Sequence, residues 1–133
     1  MPSKPAMLIV DDESNVARTL KMVFEREGFE VETAFSCADA LKLLDKKPPL
    51  DVLITDLNME REDIGLEVAR AAQQLKKRPV IVICTGYANP NNAQEALDLR
   101  VDYLATKPAD LNELLAALRR LLALRAAQRG AAQ

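Results

Sequence analysis

The chain contains no histidine. That excludes imidazole as general base, nucleophile or metal ligand, and with it histidine-based serine triads and histidine-bound zinc. Any chemistry must run on carboxylates, hydroxyls and lysine. Two cysteines, Cys37 and Cys84, lack the spacing of a metal site or a disulfide framework. Cys84 closes an apolar run and reads as a small buried hydrophobe, which fits a reducing cytoplasm. No apolar run approaches the ~20 residues of a membrane helix. The opening Met1-Pro2-Ser3-Lys4-Pro5 lacks the apolar stretch of a signal peptide. With 18 Lys and Arg against 20 Asp and Glu, there is no basic field for nucleic acid. The expectation is a cytoplasmic protein with no direct nucleic-acid or membrane contact.

What the chain does have is 133 residues, 49% of them hydrophobic, enough for one domain with one core. Strand and helix signals alternate five times. Ala6–Val10 reads as a strand. Ser14–Glu27 reads as a helix with Val16, Leu20, Val23 and Phe24 on one face and Gly28 as its C-terminal cap. Val31 and Thr33 mark a second strand. Ser36 and Asp39 form a capping pair for a helix carrying Leu41 and Leu44 inward. Lys47-Pro48-Pro49 ends that helix. Strands over Val52–Thr55 and Val80–Cys84 flank a helix opened by Gly65, and both are continuous apolar runs, as burial on two faces requires. A helix over Asn92–Leu99, a strand over Asp102–Ala105 and a helix over Asp110–Arg125, capped by Asp110 and Glu113, follow. The alternation implies right-handed crossovers and a parallel sheet covered on both faces. The domain spans 1–125, and the Ala- and Gln-rich segment 126–133 is expected to be a flexible tail.

The chemistry-bearing residues all fall at the C-terminal ends of these strands: Asp11 and Asp12 after the first, Asp56 after the third, Thr85 after the fourth, Lys107 after the fifth. In an open parallel sheet that edge is where ligands bind. Three carboxylates brought together would repel and raise one another's pKa. A hard divalent cation resolves this, and oxygen ligands suit Mg²⁺. Lysine and hydroxyl add partners for phosphoryl oxygens, and a carboxylate can act as covalent nucleophile in phosphoryl transfer. Taken singly, each residue has a plainer reading: the acidic pair as a helix cap, Asp56 and Thr85 as ordinary strand-end turns. The conjunction at four strand ends carries the weight.

Val10-Asp11-Asp12-Glu13, Thr55-Asp56-Leu57-Asn58-Met59, Thr85-Gly86 and Lys107-Pro108, in this order and spacing, resemble the receiver domain of bacterial two-component response regulators, over about residues 5–125. The resemblance implies a flavodoxin-like, doubly wound sheet of order 2-1-3-4-5 with five helices. It implies Asp56 as phosphoacceptor. It also implies Mg²⁺ held by Asp12 directly, by Asp11 largely through water, by Asp56 and by the main-chain carbonyl of Asn58. Thr85 and Lys107 would hold phosphoryl oxygens, and the Lys107–Pro108 bond would be cis. The donor would be a phosphohistidine on a sensor histidine kinase or a histidine phosphotransfer protein, or a small acyl phosphate. Phosphorylation would switch the surface for a downstream effector. The partner or homodimer face would be the fourth helix, fifth strand and fifth helix, carrying Glu95, Arg100, Asp102, Arg119 and Arg120. Asn58 and Tyr87 would flank the path of the hydrolytic water.

Three departures stand out. Glu60 replaces the usual proline, and the stretch from Asp56 to Gly65 is one residue longer than usual. Tyr103 lies four residues before Lys107 where the family's switch aromatic lies three before, a slot filled by Leu104. Either the strand bulges or the switch is altered. The enzyme alternative is a small Mg²⁺-dependent phosphatase with an aspartyl nucleophile. Such enzymes place an acid two residues after the nucleophile; here that residue is Asn58, and the sequence shows no obvious cap or substrate pocket. A degenerate receiver usually lacks an acid or the lysine, and here all are present.

Overall fold

The structure, a computed structural model, describes residues 4–46, 49–86, 90–107 and 110–132, with side chains through Gln128. Five strands and five helices alternate: β1 (Ala6–Val10), α1 (Ser14–Arg26), β2 (Glu30–Ala34), α2 (Cys37–Asp45), β3 (Val52–Asp56), α3 (Gly65–Gln73), β4 (Val80–Thr85), α4 (Pro90–Asp98), β5 (Tyr103–Thr106) and α5 (Leu111–Ala132). The strands are all parallel, in the order β2-β1-β3-β4-β5 expected from the sequence. β3 and β4 are buried along their whole length, because helices cover both faces. Met7, Ile9, Val52, Ile54, Val80 and Val82 face α1 and α5, where they meet Phe24, Leu114 and Leu118. Their neighbours Leu8, Val10, Leu53, Ile81 and Ile83 face the layer of Ala40, Leu44, Val68, Ala72 and Ala96 from α2, α3 and α4. The period-two alternation of a strand produces this division.

The predicted caps form. Ser36 accepts a hydrogen bond from the Asp39 N–H, and Asp110 accepts from those of Asn112 and Glu113. Gly28 takes φ 95°. The N–H groups of Gly28 and Phe29 donate to the carbonyls of Glu25 and Phe24, the Schellman pattern, with the expected apolar contact between Phe24 and Phe29, ring centroids 5.8 Å apart. Two boundaries differ by more than one residue. Pro90, rather than Asn92, opens α4, as suits a residue with no N–H to leave unpaired. α5 continues to Ala132, past the Arg125 expected from the sequence. Its added residues are mostly Ala, the strongest helix former, and Arg125 anchors them to Asp102 and the Arg78 carbonyl. The Lys47-Pro48 break, Tyr87 and the Lys107–Pro108 bond involve residues outside those described.

Candidate functional site

β1 and β3 are neighbours at the centre of the sheet, with Val10 opposite Thr55. The chain leaving β1 and the end of β3 therefore put Asp11 and Asp56 side by side. Asp56 is itself paired with Cys84 of β4, so Thr85 lies one residue further along the same edge. Thr85 pairs with Thr106 across β4 and β5, and its carbonyl accepts from the Lys107 N–H at 2.8 Å. This turns Lys107 back over the crevice. Its ammonium lies 3.1 Å from Asp56 Oδ2 and 3.3 Å from Asp11 Oδ2. Carboxylate oxygens of Asp11, Asp12 and Asp56 come within 4.8 Å of one another. Asp11 and Asp56 are 4% and 8% exposed, whereas Asp12 is exposed to solvent.

Asp11 does not cap α1 in the usual way. Its Oδ1 accepts from the Glu13 N–H at 2.9 Å, while Glu13, the residue preceding α1, makes no side-chain cap. The plain helix-cap reading therefore explains neither Asp12 nor the second oxygen of Asp11. Three carboxylates against one ammonium leave the crevice short of positive charge. Burial holds the Asp56 carboxyl above its usual range and Asp11 adds to this, with Lys107 opposing. For Lys107, burial pulls downward but the pairing with Asp56 and Asp11 outweighs it, and its pKa is raised. Burial pushes the Cys84 thiol up to about 11, so it is a neutral packing group at physiological pH, as its place in the sequence suggested. Clustered hard oxygen donors with an exposed member toward solvent fit a Mg²⁺ ion.

Asn58 meets the cluster through its main chain, whose N–H donates to the Asp56 carboxylate. Its side-chain Oδ1 accepts from the Asp63 N–H at 2.7 Å, away from the carboxylates. The longer loop is organised by residues whose contacts the sequence did not show. Both Glu60 oxygens accept from the Cys37 N–H at the start of α2, at 3.1 and 3.2 Å, so the residue in the usual proline position tethers the loop. Gly65 is indispensable: a β-carbon there would lie 2.0 Å from the carbonyl oxygen of Asp56. Tyr103 packs in the α1 and α5 layer, and the β4–β5 register is unbroken. The strand has no bulge; the aromatic alternates onto the face opposite α4, and the expected switch slot holds Leu104. Two members of the expected partner face are also placed differently. Asp102 is partly buried and paired with Arg125, and Arg119 pairs with Glu27, just past α1, at 3.0 Å. Continuous with the site, between α1 and α5, is a largely apolar cavity of about 470 Å³ lined by Asp11, Asp56 and Lys107 at the site and by Val16, Leu20 and Leu114, which the sequence did not reveal.

Doubly wound order, an acid cluster at the sheet's central C-terminal edge and a lysine arching over it define a phosphoacceptor-type signalling fold. The chain belongs to the response regulator receiver domain family, which it matches over residues 7–119. It is 38% identical over 114 residues to the acid tolerance regulatory protein ActR of Rhizobium meliloti (strain 1021), covering 85% of this chain and 57% of that protein. The chain thus spans little more than half the length of this relative. Among solved structures, it resembles a CheY-like response regulator receiver domain protein from Methanospirillum hungatei JF-1, with TM-score 0.88 and 25% identity over 95% of this chain and 99% of that one. It also resembles a response regulator protein from Burkholderia pseudomallei, solved with a phosphorylated aspartic acid, calcium ion and citrate, with TM-score 0.78 and 29% identity over 94% and 72% of the two chains. The protein is a receiver domain of a two-component system, and the phosphatase alternative is not favoured. No described helix is long and apolar enough to cross a membrane.

Proposed function

We propose that Asp56 is the phosphoacceptor of this receiver domain and that Asp11, Asp12 and Lys107 complete its site. The observation that supports this best is the placement of the Lys107 ammonium within 3.3 Å of both Asp11 and Asp56 at the end of the central strand. An Asp56 oxygen attacks phosphorus in line, the bond from phosphorus to the donor imidazole nitrogen breaks, and the imidazole departs with its electron pair. The product is an acyl phosphate. Lys107 and the Thr85 hydroxyl take the phosphoryl oxygens as charge shifts onto them. Asp11, Asp12, Asp56 and the Asn58 carbonyl would hold Mg²⁺, which when bound supplies charge neutralisation at the transferring group. Hydrolysis of the acyl phosphate, slow and catalysed by the domain itself, resets the switch.

The donor is a sensor histidine kinase or a histidine phosphotransfer protein, consistent with the absence of histidine from this chain. The setting is the cytoplasm, and the output is a changed surface read by an effector or by a second copy of the chain. The phosphorylated aspartic acid in the Burkholderia pseudomallei relative supports the acceptor chemistry. Incubation with acetyl phosphate and Mg²⁺ tests the reading: the protein should gain one labile phosphoryl group, whereas sustained turnover of the donor without a stable adduct would favour a phosphatase. Asp12→Ala should abolish Mg²⁺ binding and Asp11→Ala should weaken it less, as followed by amide shifts in a Mg²⁺ titration. Unperturbed affinity in both variants would contradict the metal assignment.

A further inference from the structure

The loop between β3 and α3 is tied to α4 by side chains that phosphoryl transfer does not use. Asn58, two residues past Asp56, accepts from the Asp63 N–H at 2.7 Å. Asp63 Oδ1 in turn accepts from the Asn92 side-chain amide at 3.4 Å. Asn92 lies in the first turn of α4 and is 4% exposed. Asp63 holds φ 61°, a region that a β-carbon disfavours, so its conformation is imposed by these partners rather than by its own preference. The middle of the loop is pinned, because Glu60 is bonded to the start of α2. Asn58 and Asp63 are thus bonded to each other across a loop whose middle is held by α2. On β5 the position facing α4 is Leu104, and Tyr103 packs on the opposite face.

We propose that Asp63 and Asn92 are positioning residues that transmit the state of Asp56 to α4 through the two hydrogen bonds Asn58–Asp63–Asn92. The inference rests on Asp56 being the acceptor. α4 is then an element whose two arrangements are biased by contacts from the acceptor loop, a route that stands in for an aromatic on β5. The loop's extra length and the glutamate in the usual proline position both serve it, one by reaching α4 and the other by fixing the loop's middle.

The test uses amide NMR of the whole chain with Mg²⁺, before and after beryllofluoride. In the wild type, Leu57 beside the acceptor and Ala96, Leu97 and Leu99 at α4 should all shift. In Asn92→Ala and in Asp63→Gly, which relieves the backbone, the α4 shifts should fall by about twofold or more, on the scale of perturbed coupling, while Leu57 shifts as before. Asp63→Asn keeps an acceptor oxygen and should keep the α4 response. Undiminished α4 shifts in Asp63→Gly and Asn92→Ala would overturn the relay while leaving the acceptor intact. No shift at Leu57 in the wild type would overturn the acceptor reading, and the relay with it.

Discussion

Asp56 sits where folding and function oppose each other. Burial raises its pKa, with Asp11 adding and Lys107 subtracting, so the folded protein holds the proton more tightly than the unfolded chain does. The stabilising contribution is fully present below the ordinary carboxylate range and is lost as pH rises through the raised value. At neutral pH without divalent ions the ionised acid is therefore a local liability. Asp56→Asn should raise the urea midpoint at pH 7, with a gain of about 0.5–2 kcal/mol, the usual scale of a relieved site. The gain should shrink toward zero as pH falls below the carboxylate range. Equal midpoints for variant and wild type at pH 7 would contradict the electrostatic picture. The convergence of Asp11, Asp12, Asp56, Thr85 and Lys107 at one edge was legible in the sequence, because they follow strand signals and strand ends converge in a parallel sheet. Asp63 and Asn92 were not: two polar residues 29 apart in the chain, joined from a loop to the first turn of a helix, follow no local period.

The element most sensitive to a single atom is the first turn of α3. Gly65 N–H donates to the Leu57 carbonyl at 2.8 Å, and its Cα faces the carbonyl of Asp56 so closely that a methyl group meets main chain. Main chain cannot rotate aside. Gly65→Ala should cost about 1–3 kcal/mol, the range of overpacking against fixed groups, and should reduce phosphoryl uptake by displacing Asp56. A urea titration with parallel acetyl phosphate labelling checks both, and a variant unchanged in both would contradict the close approach. The sequence marked Gly65 as a helix opener but could not show what it packs against. The strand phase of β5 was similarly out of reach: one residue decides which layer Tyr103 enters, and only the unbroken register with β4 places it beside α5. The same limit applies to Arg119, which the sequence assigned to the α4–β5–α5 face and which turns toward Glu27. Both groups of that pair are well exposed, so it adds little stability.

Across the whole molecule, the end of the sheet opposite the acid cluster is closed by Asp102. Its Oδ2 accepts from the Ile81 N–H at 2.8 Å, and its carboxylate accepts from Arg125 at 3.0 and 3.1 Å. Arg125 also donates to the Arg78 carbonyl, so β4, β5 and α5 meet at one carboxylate. Arg125→Ala should cost about 1.5–3 kcal/mol, the scale of hydrogen bonds to charged groups. It should also speed amide exchange over residues 126–132 while Leu114 and Leu118 stay protected. Unchanged exchange there would show that the helix end needs no anchor. The overall fold was legible because alternating buried strands and amphipathic helices admit few topologies. The length of α5 was not, because the Arg125 contacts that accompany it join residues 23 and 47 apart in the chain.

The central claim is that one carboxylate at the end of β3 carries the signal. Mapping the modified residue by mass spectrometry after acetyl phosphate and Mg²⁺ tests it most directly. The expected result is a single phosphoryl group on Asp56 in the wild type and none in Asp56→Ala. A phosphoryl group on Asp11 or Asp12 in the wild type, or undiminished labelling of Asp56→Ala, would contradict it.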